Sequence, residues 1–292
     1  GNELGATTIM IAGFNGREEI LRVFEAVSGV RMNHGYFRPG GVATDLPEGF
    51  ETYIRERIPG IRKYIGELGD LMLANPILQG RMKGIAYLSL AACMALGITG
   101  PILRSTGLPY DIRRAFPYCG YETYDFDIPV THNADSWDRL VIRFEEMYQS
   151  LRIVDQALDR LEAMGPGPVM VADKKIAWPA QLSVGADGQG NSPDYVNHIM
   201  GTSMEALIHH FKMVAEGFRV PPGQVWQMVE HAKGMIGVHL VSDGGTRPYR
   251  VHFRDPSYNN LQALSLMTEG GQVGDVVIAM AGIDPVLGGV DR

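Results

Sequence analysis

Apolar residues recur at threes and fours along much of the chain, and this spacing predicts a mainly helical protein. The clearest run is Asp135 to Met164, where Trp137, Leu140, Val141, Phe144, Met147, Leu151, Val154, Leu158 and Leu161 form one stripe. Gly165-Pro166-Gly167-Pro168 ends it, which predicts a core-facing helix of about eight turns. A second stripe, with Phe50, Tyr53, Ile54, Ile58, Ile61, Ile65, Leu68 and Met72, follows Asp45-Leu46-Pro47-Glu48, and Pro59-Gly60 is expected to kink or split it. Asn15-Gly16-Arg17-Glu18 reads as a capping box opening a helix through Ile20, Leu21, Phe24 and Val27, which Gly29 stops. Thr202-Ser203-Met204-Glu205 reads as another, with a helix running through Leu207, Ile208, Phe211 and Val214 to Gly217.

The period then changes to two. Gln224 to Val229, Ile236 to Ser242 and Arg247 to Arg254 predict a small antiparallel sheet with turns near Lys233-Gly234 and Asp243-Gly244-Gly245. Apolar helical segments at Asn260 to Met267 and Val273 to Ala281 lead to a turn at Asp284-Pro285. Pro101 to Pro129 lacks a helical period and is expected to be an ordered loop packed on the helices. The resulting expectation is an α+β fold, mainly α. A helical first half spans 1–164, a Pro/Gly-rich connection 165–201, and a helix, the sheet and the last helices 202–292, together expected to form one domain because no boundary is sharp.

Composition narrows the chemistry. The chain has 292 residues, 45% hydrophobic and 20% charged, with a formal net charge of -7. That balance argues against a phosphate-binding surface and so against nucleic acid. Two cysteines, Cys93 and Cys119, without a CxxC spacing cannot build a zinc or iron–sulfur site from thiolates, so no metal bound by this chain is expected. The most apolar stretch, Ala86 to Ile98, is too short to cross a bilayer. The opening residues Gly1-Asn2-Glu3-Leu4-Gly5 have neither an initiator Met nor a signal-peptide pattern, and the chain is expected to be a fragment of a longer one. Adjacent His209-His210 diverge by about 100° on a helix and are read as structural. No Walker loop, dinucleotide fingerprint or Gly-x-Ser-x-Gly occurs.

What remains is charge embedded in apolar or Gly/Pro-rich sequence: Glu3, Arg31, His34, Arg38, Arg104, Arg113, Arg114, Lys233, Asp284, Asp291 and Arg292. Each taken singly fits a salt bridge or a solvated loop. Glu3 abuts the apolar run Leu4 to Ala12 and Asp284 follows another, so both are candidates for partly desolvated carboxylates that accept protons.

Several segments carry a resemblance. They are Leu4-Gly5-Ala6-Thr7-Thr8, Arg31-Met32-Asn33-His34 through Arg38-Pro39-Gly40-Gly41, Gly97-Ile98-Thr99-Gly100-Pro101, Tyr118-Cys119-Gly120-Tyr121-Glu122-Thr123-Tyr124, Ser203-Met204-Glu205-Ala206, Val241-Ser242-Asp243-Gly244-Gly245-Thr246-Arg247-Pro248-Tyr249-Arg250, and Asp284-Pro285-Val286 to Asp291-Arg292. Together they closely resemble the D subunits of proton-pumping NADH-quinone oxidoreductases, respiratory complex I, over essentially the whole chain. That family is similar in fold to the large subunit of nickel-iron hydrogenases, whose final motif places metal-holding cysteines after Asp-Pro. Here those positions are Val286 and Gly289, with Arg292 in place of the terminal histidine.

The resemblance implies a quinone cavity roofed by a neighbouring subunit that carries the terminal iron–sulfur cluster, with electrons arriving from NADH bound elsewhere and quinone reduction coupled to proton translocation. It implies ubiquinone or menaquinone as substrate and the other complex I subunits as partners, the membrane-arm subunit at the quinone entrance among them. It also implies a peripheral place on the cytoplasmic side of the cell membrane. Glu3 stands where most of the family has Asp, and Asp284 with it is the implied catalytic pair. Met10, Phe14, Met32, Lys233, Val286 and Arg292 match cavity positions, and Arg38 matches a structural arginine. Asn33, in a position usually held by His, is counted with His34 beside it and with Arg38 among the implied cavity residues. A related complex with an electron donor other than NADH, or a redox-inactive scaffold of the same fold, are the alternatives.

Overall fold

The computed structural model describes residues 1–165, 167–172, 197, 201–202 and 204–291. Among them it is mainly α with a small antiparallel sheet, the α+β class expected from the periodicity. A short 3-10 turn, Asn2–Leu4, precedes helix α1, Thr7–Ser28. The helix therefore starts eight residues before the capping box read at Asn15, because the apolar run after Leu4 is itself helical. Gly16 is interior, and its role is close approach: a Cβ there would lie 2.3 Å from the Tyr64 ring of the facing helix. Gly29 ends α1 in the left-handed region, donating its N–H to the Glu25 carbonyl.

A two-stranded ribbon, β1 (Phe37–Arg38) and β2 (Gly41–Val42), follows. Helix α2, Phe50–Leu73, then runs through Pro59 without a break. Proline removes one main-chain hydrogen bond there, and the packing of buried Ile58, Ile65 and Gly69 outweighs that local loss. Short helices α3 (Pro76–Met82), α4 (Leu90–Ala95), α5 (Pro101–Arg104) and α6 (Ile112–Ala115) order the next stretch, where most of the sequence carries no helical period. Helix α7, Ser136–Met164, has the bounds its stripe predicts. Asp135 caps it by accepting the Asp138 N–H at 2.9 Å and also accepts the Gly84 N–H at 2.7 Å, tying the helix start to the preceding segment.

Most of the 165–201 connection and Ser203 of the second capping box lie outside the described residues. Helix α8, Met204–Ala215, leads to strands β3 (Gly223–His231), β4 (Gly234–Ser242) and β5 (Arg250–Arg254), antiparallel in that order. His231 pairs with Gly234, so Ala232 and Lys233 form a two-residue hairpin turn. The helix expected over Asn260 to Met267 is two pieces, α9 (Pro256–Leu261) and α10 (Leu264–Thr268). Helix α11, Val273–Ile283, ends at Asp284, and a short helix α12, Leu287–Asp291, occupies what reads from sequence as a tail.

The core joins the two halves. Ala86, Leu88, Cys93, Ile98, Ile102 and Leu103 bury against Ala263, Met267, Ala279 and Ile283, which gives the most apolar stretch a place inside the molecule. Among the described residues no helix is long and apolar enough to cross a membrane.

Candidate functional site

The Lys233 turn is seated by backbone contact. A Cβ on Gly100 would fall 2.5 Å from the Lys233 carbonyl oxygen, and one on Gly234 would fall 2.6 Å from Thr99 Oγ1. Both glycines have positive φ, so neither position admits a side chain in space or in conformation. Thr99 Oγ1 accepts the Met235 N–H at 3.0 Å, and Asn260 Nδ2 donates to the Lys233 carbonyl at 3.3 Å. The turn is thereby fixed opposite the end of α11.

There Asp284 takes a left-handed conformation with φ 55°, unusual for a residue with a side chain, and forms an ion pair with Lys233 Nζ. Arg143 on α7 completes the group. It donates from Nη2 to the Gly282 carbonyl at 2.9 Å, and its Nε lies 3.8 Å from Asp284 Oδ2. Two cations thus share one carboxylate. Burial pushes the Lys233 ammonium down to about 8, and Arg143 beside it acts in the same direction. Burial also brings the Arg143 guanidinium down to about 10, with Arg104 adding to the effect and Glu146 opposing it. His231 is pushed below its ordinary value by burial and by Lys233, against Asp255.

This group stands at one end of a cleft of about 840 Å³. Its long wall is apolar: Ile20 and Phe24 from α1, Ile54 and Ile58 from α2, Leu140, Phe144, Met147 and Leu151 from α7. Arg104, Arg113, Glu146 and Glu230 line the polar end with Lys233 and Asp284. Buried Arg104 meets Glu146 at 2.6 Å, Glu230 at 2.9 Å and Asp111 at 3.9 Å, and Asp111 is also gripped by Arg113 at 2.6 Å. Burial works against the charge on Arg104, and Glu146 and Glu230 outweigh it, so its affinity for the proton rises. Burial raises the Glu230 carboxyl above its ordinary value, with Asp111 adding to this and Arg104 opposing it. A cleft with an apolar wall and an ionisable end suits a ligand with an apolar body and a polar, proton-accepting head.

The residues singled out from sequence fall into groups. Lys233 and Asp284, 51 positions apart, are in contact. Glu3 is exposed rather than desolvated, but its 3-10 turn borders a second, smaller cavity of about 100 Å³ that Arg143 and Gly282 also line. Arg143 therefore connects the surroundings of Glu3 to those of Asp284. Met10 and Phe14 are exposed on α1, and Arg17 joins Phe14 to Met32: its guanidinium lies 6.0 Å from the Phe14 ring and donates to Met32 Sδ at 3.5 Å. Asn33 is exposed with φ 56°. The His34 ring packs 5.1 Å from that of Phe24. Arg38 is buried and donates from Nε to the Gly35 carbonyl at 3.0 Å, which holds the ribbon's approach. Val286 is exposed and donates its N–H to Ser257 Oγ at 3.1 Å. Arg292 lies outside the described residues.

Sequence reasoning does not single out Arg143, Glu146 or Glu230. Arg143 and Glu146 sit three apart beside Leu140, Phe144 and Met147, and charge on the margin of an apolar stripe is the available signal. Among the described residues no group of three or more His, Cys, Asp and Glu is arranged to hold a metal ion.

Fold and site together define a helical protein with a small sheet whose cleft ends in buried, ionisable groups. The sequence profile described as "Respiratory-chain NADH dehydrogenase, 49 Kd subunit" matches residues 3–292, and the chain belongs to that family. It is 65% identical over all 292 residues to the D 1 subunit of the NADH-quinone oxidoreductase of Streptomyces avermitilis, and 65% identical over the same length to the D 2 subunit from Streptomyces coelicolor. It is 59% identical over its full length to the D subunit of the NADH-quinone oxidoreductase of a Nocardioides species. It spans 65% of the length of the first of these relatives and 66% of the other two.

Proposed function

We propose that this chain forms part of the quinone-reducing region of an NADH-quinone oxidoreductase and acts only within that assembly. The observation that carries the reading is the Lys233–Asp284–Arg143 group at the ionisable end of the cleft, in a chain similar throughout to proteins named as the D subunits of that enzyme. Reduction of a quinone there would need two electrons, which an iron–sulfur cluster held by a neighbouring subunit would supply, and two protons from the protein. Both carbonyl oxygens become hydroxyls, and the product is the quinol. Lys233, protonated below about 8, is the cation that meets a developing quinone oxyanion. Asp284 and Glu3 relay replacement protons. Exposed Met10, Phe14, Met32 and Val286 are apolar surface for the partner that closes the cavity. Asn33, His34, Arg38 and Arg292 complete its rim, and the assembly sits on the cytoplasmic face of the cell membrane with proton translocation as its coupled output.

The test is Glu3→Gln in the full-length subunit, assembled with its complex. Inhibitor-sensitive quinone reduction should fall by at least about tenfold, while reduction of the clusters by NADH stays intact. Wild-type quinone turnover would remove Glu3 from the proton path, and loss of cluster reduction would point to failed assembly instead.

A further inference from the structure

Leu140 and Arg143 line both cavities, and of the two it is Arg143 that contacts the helix end carrying Asp284. Its Nη2 is committed to the Gly282 carbonyl, a main-chain acceptor at the C-terminal end of α11. Its Nε is buried without a hydrogen-bond partner among the described residues and lies 3.8 Å from Asp284 Oδ2. A buried, unmatched N–H is costly, and a cation held beside a lysine is costlier still, so a purely structural account leaves both features unexplained. Asp284 is itself in a backbone conformation that the helix end must hold in place.

We propose that Arg143 is a positioning residue for the Lys233–Asp284 pair: anchored on Gly282, it fixes the end of α11 so that the Asp284 carboxylate faces Lys233, and it places a second cation on that one carboxylate. The inference rests on the quinone-reducing reading above. It accounts for the two features together. The anchor explains the place of Asp284, and the second cation adds to the burial that lowers Lys233 although an acid touches it.

The charged groups that face the pair sort by pH range. Glu146 of α7 and Arg104 of α5 bear on Arg143, and Glu230 of β3 lies on Arg104. His231 of β3 is lowered and titrates on the acid side. Glu3 borders the second cavity only. An alkaline limb near 8 in quinone turnover therefore reports Lys233.

The experiment compares Arg143→Met, Arg143→Lys and Lys233→Met in the full-length subunit within the purified complex. The readout is kcat and kcat/KM for quinone across pH ~6 to ~10, with NADH oxidation by a soluble artificial acceptor as the assembly control. Removing a like charge raises the affinity of Lys233 for its proton, so Arg143→Met should move the alkaline limb upward by about 0.5–1 pH unit and lower kcat. Arg143→Lys restores a cation only while that buried lysine stays protonated, so it should move the limb by less than Arg143→Met does while kcat falls. A scaffold role would lower turnover with an unmoved limb in the Met variant, and that result overturns the inference. If the Met variant does not assemble, Arg143→Gln takes its place as the neutral variant: an alkaline limb moved upward with lowered kcat supports the inference, and an unmoved limb or wild-type kcat overturns it. Failure of both to assemble assigns Arg143 to folding and overturns it too. Full quinone turnover in Lys233→Met would overturn the underlying reading rather than the role of Arg143 alone.

Discussion

Two charged regions lie side by side in this molecule and are balanced in opposite ways. Around Arg104, two cations, Arg104 and Arg113, meet three carboxylates, Asp111, Glu146 and Glu230. Around Asp284, two cations, Lys233 and Arg143, meet one. The first region stitches α5, α6, α7 and β3 together, and in it burial raises the Glu230 carboxyl against the pull of Arg104, with Asp111 adding to the rise. The second region has excess positive charge, and in it burial, with Arg143 adding to the effect, lowers the Lys233 ammonium. Burial drives both toward the neutral form, but only the second opens on a half-exposed carboxylate, Asp284, held in a left-handed conformation. The first is therefore read as structure and the second as chemistry, and mutation can separate them.

The largest effect should come from Arg104→Met. It leaves Glu230 and Asp111 buried without their common partner, and breaking such a network costs about 3–5 kcal/mol. Thermal or denaturant unfolding of the full-length subunit measures it, and a loss below about 1 kcal/mol would place this cluster with ordinary surface pairs.

Lys233→Met should do the opposite: quinone turnover about 100-fold lower, with the thermal midpoint at neutral pH unchanged or raised. The sign follows from linkage. The folded state holds Lys233 at about 8 against an ordinary 10.5, so folding disfavours its protonated form. That penalty is complete below about 8 and is relieved as pH rises toward 10.5, where the unfolded chain still binds the proton and the folded chain does not. The wild-type protein accordingly gains stability relative to Lys233→Met across that window. A variant that loses stability at neutral pH would erase the distinction between the two regions.

How much of this is legible in sequence depends on whether the deciding interaction is local. The bounds of α7 are readable because Asp135, the apolar stripe and Gly165 agree within one segment. The strands are readable from alternation, and Lys233 stands out beside Gly234. The start of α1 is misread because Asn15 and Gly16 mimic a cap, whereas Gly16 answers to Tyr64 on a different helix. The unbroken α2 is hidden because its packing outweighs a proline. Lys233 and Asp284 each stand out for charge in apolar surroundings, but their pairing across 51 positions depends on the close backbone approach at Gly100 and Gly234. Arg143 leaves only its place on the margin of an apolar stripe as a signal, because a charged residue within a long helix looks solvated unless its distant partner is known.

The smallest effect calibrates the scale. Arg152 on α7 pairs with Asp127 at 3.0 Å and with Asp125, and both aspartates are about three-quarters exposed. In composition this is the same motif as Arg104 among its carboxylates: one guanidinium, several acids, short contacts. Water screens it, and the long side chain gives up rotamer freedom to hold the geometry, so Arg152→Ala should cost at most about 1 kcal/mol and fade further in high salt. Parallel melts of the two arginine variants at low and high ionic strength make the contrast quantitative. If Arg152→Ala matched Arg104→Met, contact number would govern these networks and burial would not, and the reason for setting the Arg104 cluster apart from its surroundings would be gone.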